Sequence, residues 1–358
     1  AADVTFSSTV DADNFTQVAG TGTTLFSGTL DLASNFDFTG AALTLSGSGN
    51  TVGGAFEVTN AGVFTTGDSA DITVVGEFVQ NGAGNSVIGA DLTSSSDGFA
   101  FGTNVTLTST DAIRIQTGEG AGDDVVISGT LTGTDDDLTI DAGSSGDITL
   151  TGAVNLGTGS LTIVDADTVV FGSTFAASSF TQSDGTTSTT INNAITTTGG
   201  VSIVTGSLSI LSSGDINAGD AVSLTATTIS TTGDITTSND NVTFTGAVVL
   251  TGNVAINTGA GAGTITFTST VDGTTDFAEN LTLTAGSGNI DFDGVVGGTK
   301  DLGDVLINSV TNMKADAAVS AKSFTQSAGT GTTTFSGTLD INVNFDFTGA
   351  ALTLSGSG

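Results

Sequence analysis

Phe15-Thr16-Gln17-Val18-Ala19-Gly20-Thr21-Gly22-Thr23-Thr24-Leu25-Phe26 opens a stretch, Phe15–Gly49, that returns almost unchanged as Phe324–Gly358. The two starts lie 309 residues apart (324 less 15). Five of the 35 aligned positions differ (Val18/Ser327, Leu25/Thr334, Leu32/Ile341, Ala33/Asn342 and Ser34/Val343), which leaves 30 identical without a gap. Folding alone does not require such closeness, so the chain reads as one period of a tandem array and the opening of the next.

A more distant copy exposes a smaller unit. Ser179-Phe180-Thr181-Gln182 matches Asn14-Phe15-Thr16-Gln17 and Ser323-Phe324-Thr325-Gln326. Apolar positions nine before and eleven after each Phe align as well, so Phe6 to Phe26 and Phe171 to Ile191 both span 20 residues. A second apolar side chain follows four residues on, as in Phe6/Val10, Phe26/Leu30, Phe171/Phe175 and Ile191/Ile195. Spacing of this kind, with small residues between, is expected of inward-facing positions of one strand.

Composition narrows the fold. Among 358 residues there are 52 Gly and 21 Phe but no Pro, Cys, His, Trp or Tyr. Average usage would supply roughly 18 prolines. Proline cannot donate to a β ladder, so its absence fits strands paired on both sides. Alternating short apolar segments separated by Gly, Asn, Asp and Ser turns run from end to end without a linker. The expectation is a single continuous domain over residues 1–358, an all-β parallel β-solenoid (β-helix) with coils of about 20–25 residues and no substantial helix. Phe6, Phe26, Phe171, Ile191, Phe267, Phe292 and Phe335 should point inward. Gly146-Asp147-Ile148, Gly214-Asp215-Ile216, Gly233-Asp234-Ile235 and Gly288-Asn289-Ile290 read as coil corners, with Gly turning the chain and the Asx side chain bonding the backbone N–H groups that follow. A lone coil buries too little to offset its ordering, so coils must stack.

Several segments resemble the giant repetitive surface proteins of bacteria, the filamentous-haemagglutinin-like or β-strand-repeat proteins. They are Gly263-Thr264-Ile265-Thr266-Phe267-Thr268, Leu281-Thr282-Leu283-Thr284-Ala285-Gly286 and Gly288-Asn289-Ile290-Asp291-Phe292-Asp293-Gly294. The resemblance implies a secreted right-handed parallel β-helix used as a fibre, adhesin or surface coat. Its secretion domain and receptor-binding head have no counterpart in this sequence, and no Arg-Gly-Asp tripeptide occurs.

Charge separates the partners. With 37 acidic and 4 basic residues the formal charge is −33, which disfavours nucleic acid and anionic membrane surfaces. Nothing spans a membrane as an 18-residue apolar run. At about 4.8 Å per coil, roughly 16 coils would place one net negative charge per ~2.3 Å of axis, near the ~1.7 Å of duplex DNA. Divalent cations and further copies of the chain are the expected partners. The chain starts at Ala1 without an initiator Met or a signal-peptide pattern, as a processed or excerpted segment would.

Candidate chemistry is sparse. Carboxylate pairs Asp11/Asp13, Asp165/Asp167 and Asp291/Asp293 are what an acid/base polysaccharide lyase or hydrolase would use. No His accompanies them, no Tyr or Trp could stack a sugar, and Arg114 is the single Arg, so the chain is read as non-enzymatic. Asp123-Asp124 and Asp135-Asp136-Asp137 put hard oxygen ligands in turns, the chemistry Ca²⁺ prefers. They match neither an EF-hand loop nor the Gly-Gly-x-Gly-x-Asp nonapeptide, and solvated corners are the plain alternative. No other cofactor is expected. Thr106-Leu107-Thr108, Thr243-Phe244-Thr245 and Thr282-Leu283-Thr284 would set threonine pairs on the outside of strands, as an ice-binding ladder does. They do not recur at a fixed spacing, which favours ordinary β-propensity. Asn14, Asn104, Asn241 and Asn280 head Asn-x-Thr sequons that the same alternation creates.

The functional expectation is a structural protein, a fibre, filament or sheath at the bacterial cell surface or outside the cell. The alternative is an adhesin stalk whose binding head lies elsewhere. A calcium-binding matrix protein and a β-helix enzyme rank below both.

Overall fold

The computed structural model describes residues 2–356. Among them there is no helix, and the strands stack in parallel as a β-solenoid. The chain groups into two compact units, one up to Thr186 and one from Thr187 onward.

In the first unit each coil carries three short strands. Val4–Phe6, Val10–Ala12 and Phe15–Gln17 form the first coil. Thr23–Phe26, Leu30–Leu32 and Phe36–Gly40 then lie directly against them, in the same order. Most strands are three residues long with the ends inward and the middle outward, as Ile72, Thr73 and Val74 show. This is the period of two that a pleated strand imposes. The expected i, i+4 pairs do both face inward, but not from one strand. Phe26 ends Thr23–Phe26 and Leu30 begins Leu30–Leu32, with the corner Ser27–Thr29 between them. A tight corner turns the chain so that the residues on its two sides both point to the axis.

Aromatic columns fill the core. Phe15, Phe36, Phe56 and Phe78 are stacked at 5.0, 4.3 and 5.1 Å between ring centroids. Phe26, Phe171, Ile191, Phe267, Phe292 and Phe335 are buried as expected. Phe6 is half-buried and stacks on Phe26 at 4.7 Å.

The second unit has the same parallel stacking, with some strands running round a corner. Val222–Thr231 continues through a register shift between Thr225 and Thr228 and pairs with Val201–Val204 and Ser207–Ile210 of the coil before. Coil length varies more widely than the sequence pattern suggests. Thr24 pairs with Leu43, which makes one coil shorter than expected, and Val254 pairs with Leu281, which makes another longer. Strands keep their register because corners absorb the difference.

The recurring segment has the same local build in each unit. Phe15 lies against Phe36 and Phe324 against Phe345, at equal separations along the chain. A Cβ on Gly47 would sit 2.1 Å from the Gly28 carbonyl oxygen, and one on Gly356 would sit 2.1 Å from that of Gly337. Stacked corners approach too closely there for any side chain, so the glycine pairs are fixed by contact between coils.

Candidate functional site

Asx side chains brace the corners, in a way the local sequence does not reveal. Asp215 Oδ1 accepts from the N–H of Asp234 (2.9 Å), and Asp234 Oδ1 accepts from that of Ala255 (2.7 Å). Asp124 Oδ1 accepts from Asp147 N–H at 2.8 Å, and Asp147 Oδ1 accepts from both the N–H and the Oγ1 hydroxyl of Thr168. Asn289 and Asn312 continue the pattern. The bond runs to the next coil, which corrects the expectation that it would run to the residues following in sequence. The sequon residues Asn14, Asn104, Asn241 and Asn280 use Oδ1 identically, accepting from Asn35, Thr130, Thr264 and Asp304. Their sequons thus coincide with corner Asn, inward apolar residue and outward Thr.

A second internal device sits behind the Phe-Thr-Gln motif. Thr24 Oγ1 donates to Gln17 Oε1 at 2.8 Å, and Thr333 Oγ1 donates to Gln326 Oε1 at 2.7 Å. Gln80 plays the part most fully. Its Nε2 donates to Asn60 Oδ1 (2.7 Å) and to the carbonyls of Gly84 (2.8 Å) and Gly82 (3.2 Å), and its Oε1 accepts from Thr103 Oγ1 (3.1 Å). A Thr seven residues after the Gln, present in both copies, was the available sequence signal.

The calcium candidates are spread over several corners. Asp123 is buried and accepts from Gly120 N–H at 2.8 Å. Asp136 is buried too, accepting from Ser109 N–H (2.7 Å) and Thr134 N–H (3.2 Å). Asp124 and Asp137 bond upward, Asp137 Oδ1 taking both the N–H and the hydroxyl of Ser160. Asp135 and Asp137 line a surface furrow together with Asp111. Among the described residues, no group of three or more acidic, His or Cys side chains is placed to hold a metal ion.

The carboxylate pairs sit on the outer surface. Asp11 lies in register with Asp31 of the next coil. Burial and the nearby charge of Asp184 push the Asp165 carboxyl above its ordinary range, with Asp141 and Glu119 adding to the effect. Burial and the neighbouring Asp293 do the same to Asp291, which lies beside Lys314 on the next strand. All four basic residues are paired with acids: Arg114 with Asp141, Lys300 with Asp276, Lys314 with Asp316 and Lys322 with Asp304. Such exposed pairs add little stability.

One corner differs from the rest. In the long coil that runs from Val254 to Leu281, Glu279 is buried and bonded by the Thr274 hydroxyl (2.6 Å) and by the N–H groups of Thr274 and Thr275. Burial alone would raise its carboxyl, but these bonds outweigh burial and hold it below the usual range. They brace a turn in which Phe277 adopts a left-handed backbone, φ 63°, a strained conformation for a bulky residue.

No helix among the described residues is long and apolar enough to cross a membrane. No protein-family model, curated protein or solved structure was found to match the chain.

Proposed function

We propose that the chain is a structural element, a stretch of a tandem β-solenoid that builds a fibre or sheath outside the cell. The observation that carries this reading is the recurrence of Phe15–Gly49 as Phe324–Gly358. Identity extends to outward positions that packing leaves free, including Thr16/Thr325, Asp31/Asp340 and Asp37/Asp346. The stacking register is also the same in both copies, each in its own unit. A repeated outer surface is what a material needs, whereas a reaction needs a single site. The surface-protein resemblance points the same way, and it supplies the extracellular setting.

Self-association is the partner chemistry of this reading, and divalent cations assist it by bridging acidic corners of neighbouring fibres. The calcium involved is diffuse rather than held in a dedicated cage. A stalk that carries a binding head is the second reading. The braced turn around Phe277 favours it, as a half-buried aromatic carried on a turn rather than on a stacked strand.

Denaturing gel electrophoresis and electron microscopy of the native material test the proposal. Filaments, with a denatured mass far above 34.9 kDa, are the expected result. A sharp band at 34.9 kDa from a protein that stays monomeric at high concentration would overturn it. In sedimentation, millimolar calcium should speed the fibres relative to EDTA.

A further inference from the structure

The corner that follows the strand Phe78–Gln80 carries the one Asn-Gly step of the sequence, Asn81-Gly82. Asn81 is exposed, and its Oδ1 accepts from the Thr59 hydroxyl at 2.6 Å. Among the described residues its Nδ2 donates to nothing, and the Gly82 N–H has no acceptor either. The backbone on both sides is engaged: the Asn81 N–H donates to the Val58 carbonyl (3.0 Å) and the Gly84 N–H to that of Asn60 (2.9 Å).

At several other asparagines the N–H that follows is spent on the next coil. Phe15, Val105 and Val242, which come after Asn14, Asn104 and Asn241, donate to the carbonyls of Asn35, Thr130 and Thr264. Ser86, which comes after Asn85, donates to the Asn104 carbonyl at 2.9 Å. Gly82 is also the least hindered of these nitrogens, and the fold keeps it so. A Cβ there would sit 2.1 Å from the Asn60 nitrogen, so the neighbouring coil excludes every side chain.

We propose that Asn81 is a site of spontaneous deamidation assisted by Thr59, and that isoaspartate formed there releases the brace around Gln80. The Gly82 nitrogen attacks Asn81 Cγ and gives up its proton, and the new N–Cγ bond closes a five-membered succinimide. The Cγ–Nδ2 bond breaks, and ammonia leaves with that proton. Water then opens the ring at either carbonyl to give aspartate or isoaspartate, with no change of oxidation state. Negative charge gathers on Oδ1 during the attack, where the Thr59 hydroxyl already donates, as a donor in an oxyanion hole does. In isoaspartate the main chain runs through Cβ and Cγ, one atom longer than before. This corner has no slack for it. Gln80 Nε2 donates to the carbonyls of both Gly82 and Gly84, and a Cβ on Gly84 would lie 1.4 Å from the Gly62 oxygen. The added atom displaces a carbonyl from Gln80, whose amide also holds Asn60 Oδ1. Aspartate keeps the original main chain and an oxygen for Thr59, so only isoaspartate loosens the coil. The conversion needs nothing but water and time, which makes it a mark of the protein's age set in one coil.

Peptide mapping by mass spectrometry, on the full folded chain stored in mildly alkaline buffer, is the test. Cleavage after Glu77 and Glu119 gives one peptide that holds Asn81, Asn85 and Asn104, so two asparagines of the same molecule are the reference and no variant has to fold for the comparison. Asn81 should convert at least about tenfold faster than either, a gap of about 1.4 kcal/mol in barrier. Thr59→Val should slow the conversion about fivefold in buffer, an exposed donor being worth less than an enclosed one, and should leave the rate in urea unchanged. A protease that cuts before aspartate but not before isoaspartate tells the products apart. Chains with isoaspartate should show faster hydrogen exchange in Phe56–Asn60 and Phe99–Phe101, the strands on either side of Phe78–Gln80. Asn81→Asp, which adds the charge without the extra atom, should not. Conversion of Asn81 no faster than that of Asn85 and Asn104, a Thr59→Val variant as fast as the wild type in buffer, or isoaspartate chains that exchange like Asn81→Asp would each overturn the proposal. None of these outcomes bears on the fibre reading, which rests on the recurring segment.

Discussion

Gln80 offers the sharpest test of how the coils are held together. Its amide donates to Asn60 Oδ1 and to the carbonyls of Gly82 and Gly84, all buried, and accepts from Thr103. In Gln80→Ala the Gly84 oxygen keeps its bond from Thr103 Oγ1, but Asn60 Oδ1 and the Gly82 oxygen lose their donor. At about 1–3 kcal/mol for each orphaned buried acceptor, the expected loss is about 2–6 kcal/mol. Gln80→Met, which keeps the volume, should lose a similar amount. Gln80→Glu should be worse at neutral pH, because a carboxylate would face three acceptors. Burial among them raises its pKa, so the missing stability should return as the pH falls and vanish again as it rises through that pKa. Hydrogen–deuterium exchange read strand by strand is the assay. In a stacked array the damage stays with nearest neighbours, so amides of Phe56–Asn60 and Phe99–Phe101, which pair with Phe78–Gln80, should exchange faster. Those of Ile148–Leu150 should not. Unchanged exchange in the neighbouring strands, or a Glu variant no worse than Met at neutral pH, would refute the reasoning.

Phe56→Ala removes a fully buried ring from between Phe36 and Phe78 and should cost about 3–5 kcal/mol, read from the urea midpoint; a loss below about 1 kcal/mol would mean that the column collapses to fill the gap. Asp234→Ala deprives the Ala255 N–H of its acceptor and should cost about 1 kcal/mol, while Asp234→Asn keeps the bond and should be nearly neutral. Ser86 sits between Phe64 and Val105 with a buried hydroxyl that has no partner, so Ser86→Ala should leave the urea midpoint unchanged or raise it. Asp165 and Asp291 have carboxyls raised in the folded state. Their contribution to stability is complete below the unfolded carboxylate pKa of about 4 and disappears as the pH rises through the raised values. The urea midpoint should therefore rise on mild acidification from neutrality; a fall would show that Glu279, whose lowered carboxyl acts in the opposite sense, dominates.

The class of fold was legible in the amino-acid sequence because it rests on local rules. Alternation placed Phe26, Phe171, Phe267 and Phe292 inward one by one, and the absence of proline spoke for strands paired on both sides. Partners one coil away were not legible. Asp234 finds Ala255 21 residues on, Asp124 finds Asp147 23 residues on, and Asn104 finds Thr130 26 residues on. No fixed period links these pairs, because each corner holds its own number of residues. Three consequences of that variability needed the tertiary structure: the Asx ladders, the corner lying inside each i, i+4 apolar pair, and the alignment of Ser223, Thr243 and Thr266 on adjacent strands. Local pattern tells a side chain which way to face. Stacking decides what it meets there, since the hydrogen bonds between coils fix the register whatever length of chain the corners take up.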